Sequence, residues 1–222
     1  MDAKYTKLFT DSDAFSLYRF RNGALTTDAK NGYTLTIAAG TPTYSKIKYG
    51  GGVLLDTSAY YSRNTQFWNG FQHFTINVWL KSWYGVITSG KSGTYEFYWA
   101  KTATTLSLHM RWVGNTDGDY SVTLPAWFDD SKVNMFTWTV TYSGGDTNIR
   151  VYLNAVLIYN TWVLGKVPSP WEAPYYIGAY YIEGKQGANG RMTNHFMMTR
   201  YVTAKEVKSL YVDPGVPLAA IG

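Results

Sequence analysis

The chain has 222 residues, of which 45% are hydrophobic, 16% are charged and none is cysteine. This composition is typical of a globular protein, and it excludes disulfide bonds and cysteine-ligated metal sites. The formal net charge of +5 comes from dispersed lysines and arginines, without the clustered basic stripe that nucleic-acid binding requires. The first residues, MDAKYTKLFTDSD, lack the apolar core of a signal peptide, and no apolar run reaches the length of a membrane span. We therefore expect a protein made in a cytoplasm that binds neither nucleic acid nor membranes.

Alternation of apolar and polar residues predicts β-strands along most of the chain. Successive side chains of a strand point to opposite faces, so each segment has one buried and one wet face, as in antiparallel sheets packed in pairs. In one segment the alternation buries Phe74 and Ile76 and places Trp79 on the wet face. The segments, in chain order, are FSLYRFR (15–21), YTLTIA (33–38), FTINVWLK (74–81), TLSLHMRWV (105–113) and MFTWTVTY (135–142).

The stretch RVYLNAVLIYN (150–160) predicts a β-hairpin that turns at Asn154-Ala155. Two-residue hairpin turns of type I′ need positive φ at both central residues, and they favour Asn-Gly for that reason. The β-carbon of Ala155 disfavours positive φ. The sequence therefore predicts a turn that is either strained or of another type.

One helix is predicted, near the end of the chain. In TAKEVKSLY (203–211), Thr203 and Glu206 have the spacing of a capping box, and Val207, Leu210 and Tyr211 share one face. The sequence Asp-Pro-Gly at 213–215 ends the helix. We expect this helix to plug an open end of the β core.

Four segments together resemble the concanavalin A-like lectin/glucanase superfamily, in its laminin-G-like jelly-roll branch. The family pattern includes a "Gly-Gly-x-Leu-x-Asp" strand, a "Phe-Thr-Ile-x-x-Trp-Val-Lys" strand and a capped helix that closes in "Leu-Tyr". The segments are LYRFRNGALTTDAKNGYTLTIAAGTPTYSKIKYGGGVLLDTSAYYS (17–62), FTINVWLK (74–81), FTWTVTYSGGDTNIRVYLNAVLIYN (136–160) and YYIGAY through GRMTNHFMMTRYVTAKEVKSLY (175–211).

The resemblance implies an all-β fold, an antiparallel jelly-roll β-sandwich with one short C-terminal helix. We place this domain at residues 15–212, between an N-terminal segment (1–14) and a C-terminal tail (213–222). Where relatives carry an acidic pair in the last long strand, this chain has Thr193 and Asn194.

The sequence offers few residues suited to catalysis. Superfamily members that cut β-glucans need two carboxylates about 5 Å apart. None of the four glutamates, at positions 96, 172, 183 and 206, has another carboxylate two or four residues away, and Glu96 stands alone in a predicted strand. His73, His109 and His195 are too far apart in the sequence for a metal-ligand motif. We therefore expect a protein that is not an enzyme.

A calcium site is the one cofactor that the sequence leaves open, and no other is predicted. Asp117 and Asp119 flank Gly118 and would present two carboxylates on one turn, and Asp56 ends a strand of the family pattern. Calcium takes oxygen ligands of this kind from loops. Turn-forming aspartates with solvated charges are the alternative interpretation.

Aromatic residues in predicted loops are the candidates for binding a carbohydrate or a protein partner. Rigid aromatic rings stack on the C–H faces of sugars and also anchor protein interfaces. Packing in the core or at sheet edges is the alternative role for each of them. The candidates are Trp68, Trp83, Tyr84, Trp162, Trp171, Tyr180 and Tyr181.

These observations lead to three hypotheses of function. The first is a non-catalytic structural or decoration protein of a bacteriophage virion, made in the host cytoplasm. It would bind capsid or tail proteins, or further copies of itself, and surface glycans in addition. The second is a free-standing carbohydrate-binding module of the lectin type. The third, a glycoside hydrolase, requires the paired carboxylates that the sequence spacing does not provide. The first rests on analogy, because a fold does not determine function.

Overall fold

The structure is a computed structural model that describes residues 14–27, 33–47, 51–63, 72–92, 95–114, 116–169, 174–180 and 187–212. These residues form fourteen strands and one helix. In chain order the elements are β1 (Ala14–Tyr18), β2 (Thr36–Ala39), β3 (Thr43–Tyr44), β4 (Val53–Leu55), β5 (Tyr60–Arg63), β6 (Phe74–Ser92), β7 (Tyr95–Lys101), β8 (Thr105–Trp112), β9 (Thr116–Thr123), β10 (Asn134–Ser143), β11 (Asp146–Leu153), β12 (Val156–Val163), β13 (Tyr175–Ile177), β14 (Asn189–Met198) and α1 (Ala204–Val212).

The strands form two antiparallel layers that share β6. The first sheet runs β12-β11-β10-β6-β14, and both β1 and β4 pair with β14, with β3 beyond β4. The second sheet runs β9-β8-β7-β6-β13-β5-β2. The predicted fold class, an antiparallel jelly-roll β-sandwich with one short C-terminal helix, is confirmed.

Strand β6 joins the two sheets because its two halves pair with different neighbours. Residues 74–80 pair with β10, whereas residues 85–92 pair with β7. Where the two halves meet, Ser82 and Gly85 have positive φ, at 49° and 100°. A β-carbon on Gly85 would lie 2.9 Å from the carbonyl oxygen of Gly187, so this position requires glycine both for its φ and for its space. The expectation of a loop at residues 81–85 is wrong, since the strand continues through them.

Aromatic side chains fill the space between the sheets. The Trp138 ring, on β10 of the first sheet, lies 5.8 Å from the ring of Trp99, on β7 of the second. The rings of Phe74 and Phe97 lie 5.3 Å and 6.1 Å from Trp138. All four side chains are buried, and edge-on aromatic pairs of this kind contribute stability beyond the area that they bury.

The predicted capping box is present at the start of α1. The backbone N–H of Thr203 donates to Glu206 Oε2 at 2.7 Å, and the Glu206 N–H donates to Thr203 Oγ1 at 3.3 Å. Arg200 forms an ion pair with Glu206 at 2.8 Å. With nine residues, α1 is too short to span a bilayer, and the described residues contain no other helix that could do so.

The position predicted for this helix is wrong. Val207 and Leu210 pack in a second hydrophobic cluster with Trp79 and Tyr152, separate from the core between the sheets. The Tyr211 ring stacks on Trp79 at 6.0 Å. The helix therefore covers the outer face of the first sheet instead of closing an end of the sandwich. Trp79, predicted to face water, is consequently 1% exposed.

Two of the strands at the borders of the sheets, β12 and β9, differ in polarity. Strand β12 pairs with β11 alone among the described residues, and its sequence VLIYNTWV carries no charge. Its side chains Val156, Leu157 and Trp162 are each about half exposed. Strand β9, at the end of the second sheet, carries Asp117 and Asp119 instead.

The hairpin turn between β11 and β12 keeps positive φ at both central residues, 50° at Asn154 and 68° at Ala155. The sequence-based expectation of strain is therefore confirmed.

Glycine adopts this conformation without the steric cost that a β-carbon adds. We expect Ala155→Gly to raise the free energy of unfolding by about 1 kcal/mol, measured by chemical denaturation. Ala126→Gly, at an exposed turn residue without positive φ, is the control. An equal or larger gain in the control would contradict the explanation.

The buried His195 predicts a loss of stability in mild acid. Its Nε2 lies 3.0 Å from the Tyr175 hydroxyl, and burial lowers the pKa of His195 from 6.5 to about 3. Above pH 6.5 the imidazole is neutral in both states, so it makes no pH-dependent contribution. Below that pH His195 binds a proton in the unfolded chain but not in the folded chain. The free energy of unfolding therefore falls by about 1.4 kcal/mol per pH unit.

At pH 5 we expect this histidine alone to have removed about 2 kcal/mol of stability. The measurement is the free energy of unfolding between pH 7.5 and pH 4.5 for the natural chain and for His195→Gln. Glutamine retains an acceptor for Tyr175 but does not titrate. The free energy of unfolding should therefore fall less steeply with decreasing pH in the variant. Parallel slopes in the two proteins would contradict the assignment.

Candidate functional site

Three tyrosines surround a groove of about 370 Å³ on the outer side of the second sheet. Tyr84 lies in β6, Tyr98 in β7, and Tyr180 follows β13. The polar residues Thr102 and Ser107 also line the groove. The groove thus places aromatic faces beside small hydrogen-bonding groups, which is the combination that suits a sugar.

The rings in the groove support one another. The Tyr98 and Tyr180 centroids are 5.0 Å apart with the planes at 65°, an edge-on contact. On β8, His109 stacks on Tyr98 at 5.0 Å, with the two planes only 2° apart. Burial, followed by the negative charge of Asp119, raises the pKa of Tyr98, so its hydroxyl remains protonated at neutral pH. Tyr84 projects further into solvent and is 61% exposed.

A buried lysine supports the base of the groove. The Lys101 ammonium donates to the carbonyl oxygens of Trp83 at 2.8 Å and Thr102 at 3.0 Å, and lies 3.0 Å from Asp130 Oδ1. Its side chain is fully buried. Burial lowers the pKa of Lys101, and the hydrogen bond to Asp130 opposes that shift. These contacts tie β7 to the middle of β6 and to the segment before β10.

A cluster of charged side chains lies beside the groove on the same face. Cross-strand pairing of β8 with β9 sets His109 opposite Asp119 and Arg111 opposite Asp117. His109 Nδ1 lies 2.7 Å from Asp119 Oδ1, and its Nε2 lies 3.3 Å from Glu96 Oε1 and 3.9 Å from Asp117 Oδ1. The ligand atoms of Glu96, His109 and Asp117 all lie within 4.8 Å of one another.

This cluster corrects two expectations from the sequence. Asp117 and Asp119 do not form a turn, because both lie in β9. Glu96 does not stand alone, since sheet pairing brings it close to Asp117 and to His109. The spacing of these residues in the sequence does not indicate the cluster, because they come from three neighbouring strands. Their separation along the chain depends on the lengths of the strands and turns between them. Asp56, the third calcium candidate, lies apart and accepts hydrogen bonds from Ser58, which lower its pKa.

Two of the predicted binding aromatics meet in the groove, and one is excluded from it. Tyr84 and Tyr180 both line the groove. Trp83 is fully buried, so the prediction that it binds a ligand is wrong: it sits within β6 and points into the core. Trp162 is 53% exposed on β12 of the first sheet, outside the groove. The other candidates, Trp68, Trp171 and Tyr181, lie outside the described residues.

Sequence reasoning missed Tyr98, the central ring of the groove. Its strand, YEFYWAK, alternates so that Phe97 and Trp99 face the core and Glu96 and Tyr98 face outward. That alternation was a usable signal. The stacking of Tyr98 on His109 follows from their pairing across β7 and β8, which the sequence does not show.

No protein-family model matches this sequence, and no curated protein matches it. The fold is similar to solved binding domains. The receptor-binding domain of botulinum neurotoxin type G has a TM-score of 0.68 and 16% identity, covering 91% of this chain and 52% of that one. The binding domain of Paraclostridial Mosquitocidal Protein 1 has a TM-score of 0.68 and 13% identity, covering 90% and 52%. This chain thus spans about half the length of those toxin domains.

A third similar structure is matched over nearly its whole length. Domain 4 of AbnA, a GH43 extracellular arabinanase from Geobacillus stearothermophilus solved in complex with arabinotriose, has a TM-score of 0.66 and 15% identity. The match covers 90% of this chain and 98% of that domain. At such identities the comparisons establish the β-sandwich fold alone.

The neighbours Trp83 and Tyr84 provide a direct test of which side chain faces the groove. Trp83→Ala should lower the free energy of unfolding by about 3–5 kcal/mol, because it empties a buried indole site. Tyr84→Ala should change it by no more than about 0.5 kcal/mol, because that ring is exposed. Chemical denaturation of both variants checks this, and similar losses in the two would contradict the orientation of β6.

Proposed function

We propose that this chain is a non-catalytic carbohydrate-binding module whose ligand lies in the groove formed by Tyr84, Tyr98 and Tyr180. The observation that carries the proposal is the convergence of these rings from three separate segments beside the polar residues Thr102 and Ser107. A pyranose or furanose ring presents a C–H face to an aromatic side chain and hydroxyls at its edge. The groove offers tyrosine rings for the C–H face and polar residues for the hydroxyls.

The similar structures support this proposal without establishing it. One similar domain was solved with arabinotriose, and others are described as receptor-binding domains. Arabino-oligosaccharides are therefore the first ligands to try. The volume of the groove, about 370 Å³, lies at the lower end of the range for small-molecule sites.

The arrangement of carboxylates favours binding over hydrolysis. Glu96 and Asp117 approach each other, but His109 Nε2 lies within 4 Å of both. Lys91 lies 3.8 Å from Glu96, and Arg111 lies 3.1 Å from Asp117. A retaining glycosidase places the scissile bond between its two carboxylates. Here an imidazole and two cations contact these carboxylates, which disfavours their action as a free acid and nucleophile.

Association with a bacteriophage virion, through capsid or tail proteins or further copies of this chain, stays a prediction from the sequence. A binding module of this fold is compatible with that location and equally with a free-standing lectin. Mass spectrometry of purified particles separates the two locations.

Glycan-array screening of the labelled protein, followed by isothermal titration with the best oligosaccharide, tests the proposed function. Tyr84→Ala and Tyr180→Ala should each weaken binding by roughly tenfold, equivalent to about 1.4 kcal/mol. Trp162→Ala is the matched control, since it removes an exposed aromatic ring from the other sheet. Tyr98→Phe separates stacking from hydrogen bonding, because it removes the hydroxyl alone.

Two outcomes would count against this function. The first is the absence of any retained glycan at millimolar concentrations of oligosaccharide. The second is an equal loss of affinity in Trp162→Ala and in the groove variants. Release of reducing sugar from β-glucan or arabinan that disappears in Glu96→Gln would instead establish a hydrolase.

A further inference from the structure

We propose that Glu96, His109 and Asp117 form a binding site for a divalent transition-metal ion of the zinc class. The site lies on the outer face of the second sheet, where β7, β8 and β9 each contribute one ligand. This inference does not depend on the proposed sugar ligand. It shares Asp117 with the calcium candidates from the sequence and differs from them in its other ligands, Glu96 and His109, and in its metal.

The first argument is the state of the imidazole. His109 is 93% buried, since 7% of it is exposed. Its Nδ1 contacts the Asp119 carboxylate at 2.7 Å, and a carboxylate only accepts hydrogen bonds, so Nδ1 carries the proton. In the neutral ring Nε2 then has a lone pair. Nε2 is buried and has no hydrogen-bond partner among the described residues.

The second argument is what this lone pair faces. Glu96 Oε1 lies 3.3 Å away and Asp117 Oδ1 lies 3.9 Å away. Two carboxylate oxygens and an imidazole lone pair directed at one another repel unless a metal ion or a proton lies between them. Zinc binds nitrogen at about 2.0–2.1 Å and carboxylate oxygen at about 2.0–2.2 Å, which at tetrahedral angles separates donors by about 3.3–3.5 Å. The observed separations approach these values and require small movements of flexible carboxylates.

The third argument is the contact at Nδ1. Histidines that bind metals usually donate their other ring N–H to a carboxylate or carbonyl, which fixes the tautomer and the ring orientation. Asp119 has that position here, and Tyr98 holds the ring from its face at 5.0 Å. The histidine is therefore already oriented for a metal.

The donor set selects the class of metal. Calcium prefers six to eight oxygen ligands, whereas imidazole with carboxylates suits zinc and its neighbours. Three protein ligands leave a fourth position open to water or to a ligand. Asp117 is partly exposed, so an ion can reach the site from solvent. Lys91 and Arg111 reduce the local negative charge, so we expect weaker binding than in closed structural zinc sites.

Isothermal titration of the metal-stripped, untagged chain with Zn²⁺ tests the proposal, with Ca²⁺ and Mg²⁺ titrated in parallel. We expect one saturable equivalent of Zn²⁺ and no comparable binding of the other two ions. Glu96→Gln and His109→Gln, which preserve side-chain size closely, should abolish the saturable binding. Asp119→Asn should weaken it by roughly 10- to 100-fold, the usual effect of losing the carboxylate behind a ligating histidine. His73→Gln is the matched control for nonspecific binding to a histidine.

A measurement on the natural chain removes any dependence on the folding of variants. The chain has three histidines, so a long-range ¹H–¹⁵N spectrum shows only three imidazoles. Zn²⁺ should shift the Nε2 resonance of the ring whose Nδ1 is protonated by contact with Asp119. Co²⁺ substitution should give the visible absorption bands of a four-coordinate ion.

The proposal is overturned if no saturable Zn²⁺ binding is seen, or if His109→Gln binds as the natural chain does. It is also overturned if His73→Gln loses as much affinity, or if Ca²⁺ binds these residues more tightly than Zn²⁺. A metal-free spectrum with both nitrogens of His109 protonated, unchanged by Zn²⁺, would show a proton in place of the ion and would likewise reject the site.

Discussion

The shared strand β6 is the constraint on which the remaining structure depends. Its 19 residues belong to the first sheet at one end and to the second at the other, and the transition occurs where Ser82 and Gly85 take positive φ. Because one continuous backbone belongs to both sheets, it constrains their relative position. The tryptophans at 99 and 138 then fill a gap of defined width. Tyr84 lies at the transition itself, so the groove is built where the sheets diverge.

The sequence predicted the fold well, because alternation over long strands is a strong signal. The β8 and β10 segments, the hairpin at Asn154 and the helix cap were each located to within a few residues. The prediction failed for Trp83, where alternation is interrupted by the positive φ of Ser82 and the strand resembles a loop. It failed also for Trp79, since a helix 125 or more residues further along covers its face. The contact of the helix with Trp79 is not local, so no short window of sequence could show it.

The candidate site was less accessible from the sequence than the fold. Glu96, His109 and Asp117 meet because β7, β8 and β9 pair in a particular register, and a one-residue slip would send these side chains to the opposite face. Tyr84 and Tyr180, predicted from the sequence as aromatic residues in loops, both line the groove, whereas Tyr98, the ring between them, was not predicted. Tyr98 also contacts His109. Tyr98 therefore belongs to both the groove and the border of the charged cluster, so a change in the structure of one will affect the other.

The difference in polarity between the border strands β9 and β12 affects how copies of this chain could contact one another. A strand at the border of a sheet offers unsatisfied backbone groups to any extended chain, and ionised side chains there are a common safeguard. Aspartates protect β9 in this way, while β12 shows half-exposed valine, leucine and tryptophan with no charge. Strand β12 lies on the opposite sheet from the tyrosine groove. A contact between copies at β12 would therefore leave that groove open to the surroundings.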